Sequence, residues 1–470
     1  MNNRAYSLDA LRGYAIITMV LSGAIVTWIM PSWMCHTQVP PPDLVYNPAL
    51  TGLTWVDLVF PFFLFAMGAA FPFSIGKRIE QGETKLKLSY DAIARGIRLT
   101  FFAIFIQHFY PYVLSAPQDS RSWILALLCF VILFPMFMRI PIHMPKWAHA
   151  SIKWGAYALA IIMMLTVSYA DGRTFSLSYS NIIILILANM ATFSTILYIF
   201  TQHNLWTRFG VLALVMGILL GSKIDGSWTK AVYDFSPIPW MYHFDYLKYL
   251  FIVIPGSIAG ESIMKWMKTR KQNDDQQDTE KHPKTAISLL ILTTTLILVN
   301  LYGLYTHALL FNLLTTATLL IIGLAIVTKQ KNGIFLLWKR LFETGAFFLL
   351  LGLCFEPFQG GIKKDPATFS YFFVTSGLAF MALLFFNIIC DYFKCLRSTR
   401  FLILSGQNPM IAYVACDLLI YPILHLTNLY SLLHYFYTNA WLGLIHGIIL
   451  TTITVMVTMF CSKKKWYWRT

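Results

Sequence analysis

The chain has 470 residues, 57% of them hydrophobic and only 12% charged, with a formal net charge of +15 and a mean hydropathy of +0.62. Soluble domains carry about a quarter charged residues because their surfaces face water, so this composition excludes an ordinary soluble protein. Stretches near twenty apolar residues long recur throughout, the length that crosses a hydrocarbon core of roughly 30 Å. In lipid such a stretch satisfies its backbone internally as a helix. The expected fold is all-α, a polytopic helix bundle with membrane lipids as its surroundings.

In chain order the candidate spans are 13–30, 53–76, 96–116, 122–138, 154–170, 178–201, 208–222, 246–266, 285–306, 309–327, 341–358, 369–390, 402–426 and 440–461, fourteen in all. The segment before the first span is polar and no small-residue cleavage site follows that span. It is therefore expected to stay as an anchor rather than leave as a signal peptide. With a cytoplasmic N-terminus, seven of the 36 Lys and Arg residues face outward: Arg121, Arg173, Lys223, Lys230, Lys248, Lys363 and Lys364. That asymmetry is the positive-inside bias of short loops. It assigns the basic excess to topology rather than to a nucleic-acid partner, and it puts both termini on the cytoplasmic side; the cell inner membrane is the expected location.

The segment from Lys265 to Lys284 is polar and lacks aliphatic residues for packing, so it reads as a cytoplasmic linker. It divides the chain into membrane regions 1–264 and 285–470, with 265–284 between them. The seven cysteines form no CxxC, and most lie in or beside spans, where thiols behave as small core residues. Neither a disulfide framework nor a metal site is expected.

The segment Pro31 to Leu53 differs in character, with five prolines, Trp33, His36, Tyr46 and no Lys or Arg. Long loops without secondary structure are often binding loops or lids. The second span then opens with Asp57, followed by Phe60-Pro61. A carboxylate inside a membrane helix is expensive unless paired or functional. Gln107 and His108 sit in the third span and need partners, because an unsatisfied polar group there costs kilocalories.

Two blocks carry a family resemblance: Ser7-Leu-Asp9-Ala-Leu-Arg12-Gly13, and Gly52-Leu-Thr-Trp-Val-Asp57-Leu-Val-Phe-Pro61-Phe-Phe-Leu-Phe-Ala-Met-Gly68. Together they resemble the transmembrane acyltransferases typified by the heparan-α-glucosaminide N-acetyltransferase family. Fainter echoes follow at Phe244-Asp245, Ile254-Pro-Gly256 to Gly260, Ile362-Lys-Lys364 with Phe369-Ser-Tyr371, and Gly406-Gln-Asn408-Pro409. The family's core has about ten spans by resemblance, so fourteen implies two inserted pairs, near residues 154–222 and 285–358. The chain departs from the family at Trp123-Ile-Leu-Ala-Leu-Leu-Cys129, where a Leu-Gln-Arg motif is missing, and at Gly23, where the family carries asparagine.

The resemblance implies transfer of an acetyl group from cytosolic acetyl-CoA to an amino sugar or glycan on the far side of the membrane. Such chemistry asks for a positioned base and a group that polarises the thioester carbonyl. It implies His36 as base or acyl carrier, twenty-one positions before Asp57, with Asp57 or His108 holding its ring. Gln107, Lys364 and Asn408 are expected to bind the acceptor, and Asp9, Arg12, Arg95 and Arg98 to meet the nucleotide phosphates. On residue chemistry alone, His36 is a loop histidine, Gln107 and His108 make helix-to-helix hydrogen bonds, Asp57 starts a helix, and the arginines are topology determinants. The rival function is a transporter or flippase for a sugar or lipid-linked substrate, without covalent chemistry; its even span count and central linker suit a carrier. A homo-oligomer is compatible with either.

Overall fold

The computed structural model describes residues 5–138, 145–202, 204–272, 282–329 and 333–470, so the central part of the expected linker, 273–281, lies outside the described residues. Among them the chain is helical, and its only β-type pairings are the isolated bridges Met138–Trp468 and Lys364–Ala367. The principal helices of the first part are α1 (Tyr6–Ala24), α2 (Trp55–Ala69), α3 (Lys85–His108), α4 (Ser120–Phe137), α5 (Lys146–Thr166), α6 (Ile182–Thr201) and α7 (Leu205–Gly221). Next come α8 (Leu250–Gln272), α9 (Pro283–Tyr305), α10 (Leu309–Thr328), α11 (Ile334–Phe355) and α12 (Phe369–Phe386). The chain closes with α13 (Arg400–Gln407), α14 (Pro409–Ala415), α15 (Tyr421–Leu426) and α16 (Ala440–Lys463).

Every expected span falls on helix, but among the described residues ten helices, not fourteen, are long and apolar enough to cross a membrane. The protein is therefore an integral membrane protein by the length and composition of its helices. Four expected spans are not among the ten. The α7 helix is apolar but short. The other three carry charges along their length: Asp9 and Arg12 on α1, Arg95 and Arg98 on α3, and Lys339, Arg340 and Glu343 on α11. Their apolar runs merge with polar turns that propagate the same helix, a junction that hydropathy alone does not resolve.

The chain forms two compact units, neither continuous in sequence. One comprises Met1–Ser22, Val26–Gly82 and Tyr249–Gly406; the other comprises Gly23–Ile25, Glu83–Lys248 and Gln407–Thr470. This grouping differs from the expected division into 1–264 and 285–470, and α8 runs on through the first residues assigned to the linker.

In the first unit α12 is the central element, buried along nearly its whole length. Its polar residues serve neighbours whose ladders are interrupted. Pro61 lacks an N–H, so the carbonyl four residues earlier, that of Asp57, loses its helical donor; the Tyr371 hydroxyl donates to it at 2.9 Å. Pro255 does the same to Phe251, whose carbonyl accepts from the Ser376 hydroxyl at 3.1 Å. Helices α2 and α8 then approach closely. A Cβ on Gly256 would stand 2.2 Å from the Phe65 carbonyl oxygen, and one on Gly260 would stand 2.1 Å from that of Ala69. Small residues at such spacing let two backbones touch in a membrane bundle.

In the second unit α3 and α6 pack together, with the Asn181 amide donating to the Ala103 carbonyl at 3.1 Å and the Asn181 side chain capping α6. An apolar core of Phe102, Phe105, Leu133, Phe137 and Ala160 is closed by the chain's last residues. Trp468 packs edge-on to Phe134 at 5.0 Å, and the Arg469 amide donates to the Phe137 carbonyl at 2.8 Å.

Candidate active site

The site lies in the first unit, where α2 begins. Thr54 precedes the helix in extended conformation, and Asp57, at its third position, reaches back to accept from the Thr54 amide at 3.0 Å. A carboxylate in this place satisfies an orphan donor and meets the positive end of the helix dipole. The same oxygen accepts from the Thr37 hydroxyl at 2.9 Å. The Thr54 hydroxyl donates to the Cys35 carbonyl at 2.8 Å. These bonds draw the proline-rich loop down onto the helix start.

That folding brings His36 to the other Asp57 oxygen. Nδ1 of His36 stands 2.6 Å from Oδ1 of Asp57, and neither atom has another hydrogen-bond partner. Asp57 is 1% exposed and His36 is 30% exposed. A carboxylate accepts only, so the proton of this contact sits on Nδ1 and the lone pair on Nε2. Nε2 faces the ammonium of Lys364, which also lies 4.0 Å from Asp57 Oδ1. The three side chains form one charge-linked cluster, with the His36 ring between the Asp57 carboxylate and the Lys364 ammonium.

Lys364 comes from the loop between α11 and α12, and that loop is stitched to the His36 loop. The Gln38 amide group clamps the Asp365 backbone, its oxygen accepting from the Asp365 amide at 2.9 Å and its nitrogen donating to the Asp365 carbonyl. The Tyr46 hydroxyl donates to the same carbonyl at 2.8 Å, and the Gly52 amide donates to the Ile362 carbonyl at 2.9 Å. Burial pushes the Lys364 ammonium below the ordinary lysine range, while the charges of Asp57 and Asp365 oppose that shift. A lysine so placed gives up its proton, or its hydrogen bond to His36, more readily than a surface lysine.

The structure brings together three of the residues expected at the site: His36, Asp57 and Lys364. The others have surroundings of their own. His108 belongs to the second unit, where its Nδ1 bonds the Ile104 carbonyl at 2.8 Å and its Nε2 accepts from the Ser176 amide at 3.4 Å. Both nitrogens are engaged, and Asp57 is the residue that orients His36. Gln107 donates to the Tyr112 hydroxyl at 3.4 Å in the same second unit. Asn408 is fully buried there, its side chain bonding the Trp466 carbonyl at 2.8 Å and the Trp468 amide at 3.3 Å, which ties down the tail.

Of the residues expected to meet nucleotide phosphates, Arg12 and Arg95 make hydrogen bonds within the fold. Arg12 donates to the carbonyls of Ala66 at 3.4 Å and Gly406 at 3.5 Å. A Cβ on its neighbour Gly13 would fall 1.8 Å from the Leu402 carbonyl oxygen, so the α1 motif holds α13 against α1. Asp9 is buried on the same helix. In the second unit Arg95 donates to the Thr470 hydroxyl at 3.3 Å. No group of three or more His, Cys, Asp or Glu suited to a metal occurs among the described residues.

Sequence reasoning missed Thr37, Gln38 and Thr54, and noted Tyr371 only within a motif. Two of these had signals: Thr54 stands three before Asp57, which is capping-box spacing, and Pro61 implies that the Asp57 carbonyl needs an outside donor. For Thr37 and Gln38 there was none.

Fold and site define an integral membrane helix bundle that presents a histidine oriented by a buried carboxylate. A family model described as a domain of unknown function, DUF5009, matches residues 4–263, and the chain belongs to that family. No curated protein matches it.

Proposed function

We propose that the protein is a membrane-bound acyltransferase that moves an acetyl or other acyl group from cytosolic acyl-CoA to the amine of a sugar or glycan beyond the membrane. The observation that carries this reading is the 2.6 Å contact between His36 and Asp57, with Nε2 turned to the Lys364 ammonium. Composition and helix lengths support a membrane setting, and the two sequence blocks around Arg12 and Asp57 support the family reading. The charge asymmetry of the loops supports an inner-membrane protein with cytoplasmic termini and an outward His36 loop.

In this mechanism Lys364 gives up its hydrogen bond to Nε2, and Nε2 removes a proton from the acceptor amine as the amine nitrogen bonds to the thioester carbonyl carbon. The C–S bond then breaks, and the proton passes to the departing thiolate. Asp57 keeps the other ring nitrogen protonated and stabilises the imidazolium that forms; Lys364 is placed to stabilise developing negative charge on the carbonyl oxygen.

The test is incubation of the purified full-length protein with labelled acetyl-CoA, with and without glucosamine. Acceptor-dependent transfer is expected, and His36→Ala should lower it by about 100- to 10,000-fold, the range for a positioned base. Absence of transfer from any acyl-CoA by the wild type would refute the reading and favour a carrier.

A further inference from the structure

The second unit carries two cations for which the chain supplies no counter-charge. Arg98 on α3 and Lys153 on α5 are half-buried, and among the described residues neither makes a hydrogen bond or an ion pair. No Asp or Glu occurs from residue 120 to 170, so α4 and α5 have none. Nor does α6, the other long helix packed on α3, nor the tail 464–470. On α3 itself the nearest carboxylate is Asp91, two turns before Arg98. By contrast Lys268 pairs with Glu80 at 2.5 Å, and Lys339 lies 3.7 Å from Glu343.

Ring contacts fix how α3 and α5 run. Phe101 of α3 stands edge-on to Tyr157 of α5 at 5.0 Å. Two turns further along α3, His108 stands edge-on to Tyr169, just beyond the end of α5, at 5.3 Å. The two helices are therefore parallel. Arg98 lies one turn before Phe101, and Lys153 one turn before Tyr157. Residues three or four apart share a helix face, so both cations stand at one level of the seam between α3 and α5. Helical side chains lean toward the N-terminus, which carries the Tyr157 hydroxyl toward the same level. That hydroxyl is buried and has no hydrogen-bond partner.

The level is that of a membrane surface. Lys153 lies near the start of Trp147–Thr166, a stretch long and apolar enough to cross a bilayer. Trp147 and Trp154, on one face of it, are 72% and 68% exposed, and Ile97, next to Arg98, is 54% exposed. Tryptophans gather where headgroups meet acyl chains. A cation in a membrane helix is expensive without a partner, and basic pockets between helices at this depth take lipid phosphates. Phosphate oxygens accept from guanidinium, ammonium and hydroxyl donors alike.

We propose that Arg98, Lys153 and the Tyr157 hydroxyl form a binding site for the phosphate of an anionic phospholipid, on the side of the membrane where α3 and α5 begin. The two cations supply the counter-charge, and the hydroxyl adds a neutral donor. This inference does not depend on acyl transfer and is measured without an acyl donor.

The experiment adds lipid to the purified full-length protein in a neutral detergent. Native mass spectrometry reads the lipid retained, and thermal unfolding reads the melting temperature. Phosphatidylglycerol should stay bound and raise the melting temperature. Phosphatidylcholine, whose phosphate is neutralised by its own choline, should bind at least roughly tenfold more weakly, the scale of one hydrogen bond to a charged group. Arg98→Gln and Lys153→Met should each remove that preference. Lys268→Gln, at a lysine already paired with Glu80, should keep it. Because a variant could fold poorly, Lys153→Met is also melted without lipid, where losing a charge that has no partner should leave it at least as stable as the wild type. A lower melting temperature there would mean that the lysine already has a partner within the protein, and would overturn the proposal. Equal retention of the two lipids, or a preference unchanged in both variants, would overturn it as well. Release of bound phosphatidylglycerol by an equal concentration of coenzyme A would assign these cations to a soluble phosphate ligand instead.

Discussion

Replacing Asp57 with Asn tests the core of the site, because the substitution keeps the shape and changes only which atoms donate. The wild-type carboxylate accepts at both ends: from His36 at 2.6 Å on one oxygen, and from Thr37 at 2.9 Å and the Thr54 amide at 3.0 Å on the other. If the Asn carbonyl faces Thr37 and Thr54, its NH2 points at His36 Nδ1. That nitrogen must then become an acceptor, so the ring proton moves to Nε2, where the Lys364 ammonium also donates. If the amide is turned the other way, its NH2 meets the Thr54 N–H instead. Either arrangement sets two donors against each other in a place where residue 57 is only 1% exposed. Loss of a hydrogen bond to a charged group is worth about 1.5–3 kcal/mol. At about 1.4 kcal/mol per decade this is roughly a 10- to 150-fold fall in turnover. Transfer from labelled acetyl-CoA reads the rate, and ¹⁵N spectra of histidine-labelled protein read the tautomer without any reaction. The expected spectrum moves the His36 proton from Nδ1 to Nε2. A variant with wild-type turnover and an unmoved proton would refute the assignment of Asp57 as the group that orients His36.

Tyr371→Phe should orphan the Asp57 carbonyl and lower thermal stability by about 1–3 kcal/mol; an unchanged melting temperature would show that another donor serves that carbonyl. Gly13→Ala places a Cβ 1.8 Å from the Leu402 carbonyl oxygen, an overpacking that costs about 1–3 kcal/mol or more, so less monodisperse protein should elute in size-exclusion chromatography. Single cysteines at Val45 and at Lys268, in a background lacking the seven native cysteines, should label from opposite faces of the membrane; labelling from one face would reject the loop charge asymmetry as a guide. Burial raises the Glu356 carboxyl above the ordinary glutamate value of 4.5, against opposing effects of the Ile362 amide and His307. A group whose folded pKa is raised gives stability that is complete below the unfolded value and is lost as pH rises through the folded one. Unfolding midpoints should therefore fall across that window, and Glu356→Gln should flatten the fall; an identical slope in the variant would remove Glu356 as the cause.

What the sequence by itself determined was set by local chemistry. Runs of apolar residues have no soluble alternative, so the helical membrane fold followed from composition, and the ten helices long and apolar enough to cross lie where hydropathy marked them. Thr54-x-x-Asp57 already encodes a helix start, and Pro61 already encodes a carbonyl in need of a donor, because both effects act within four residues. The number of helices fit to cross was less legible. Charged turns continue the same backbone hydrogen-bond ladder, and residues such as Asp9 and Arg12 are hidden against neighbouring helices rather than placed in water. The site itself was decided by tertiary structure. His36 and Lys364 are separated by 328 positions, and no local rule relates them. They meet because Gln38 clamps the Asp365 backbone and Asp57 pins the His36 loop to α2. The same holds for Asn408 and Arg12, whose places in the family motifs suggested ligands but whose hydrogen bonds go to distant backbone carbonyls. A buried polar group must be satisfied, but which partner satisfies it depends on how the helices pack, and that information is spread over the whole chain.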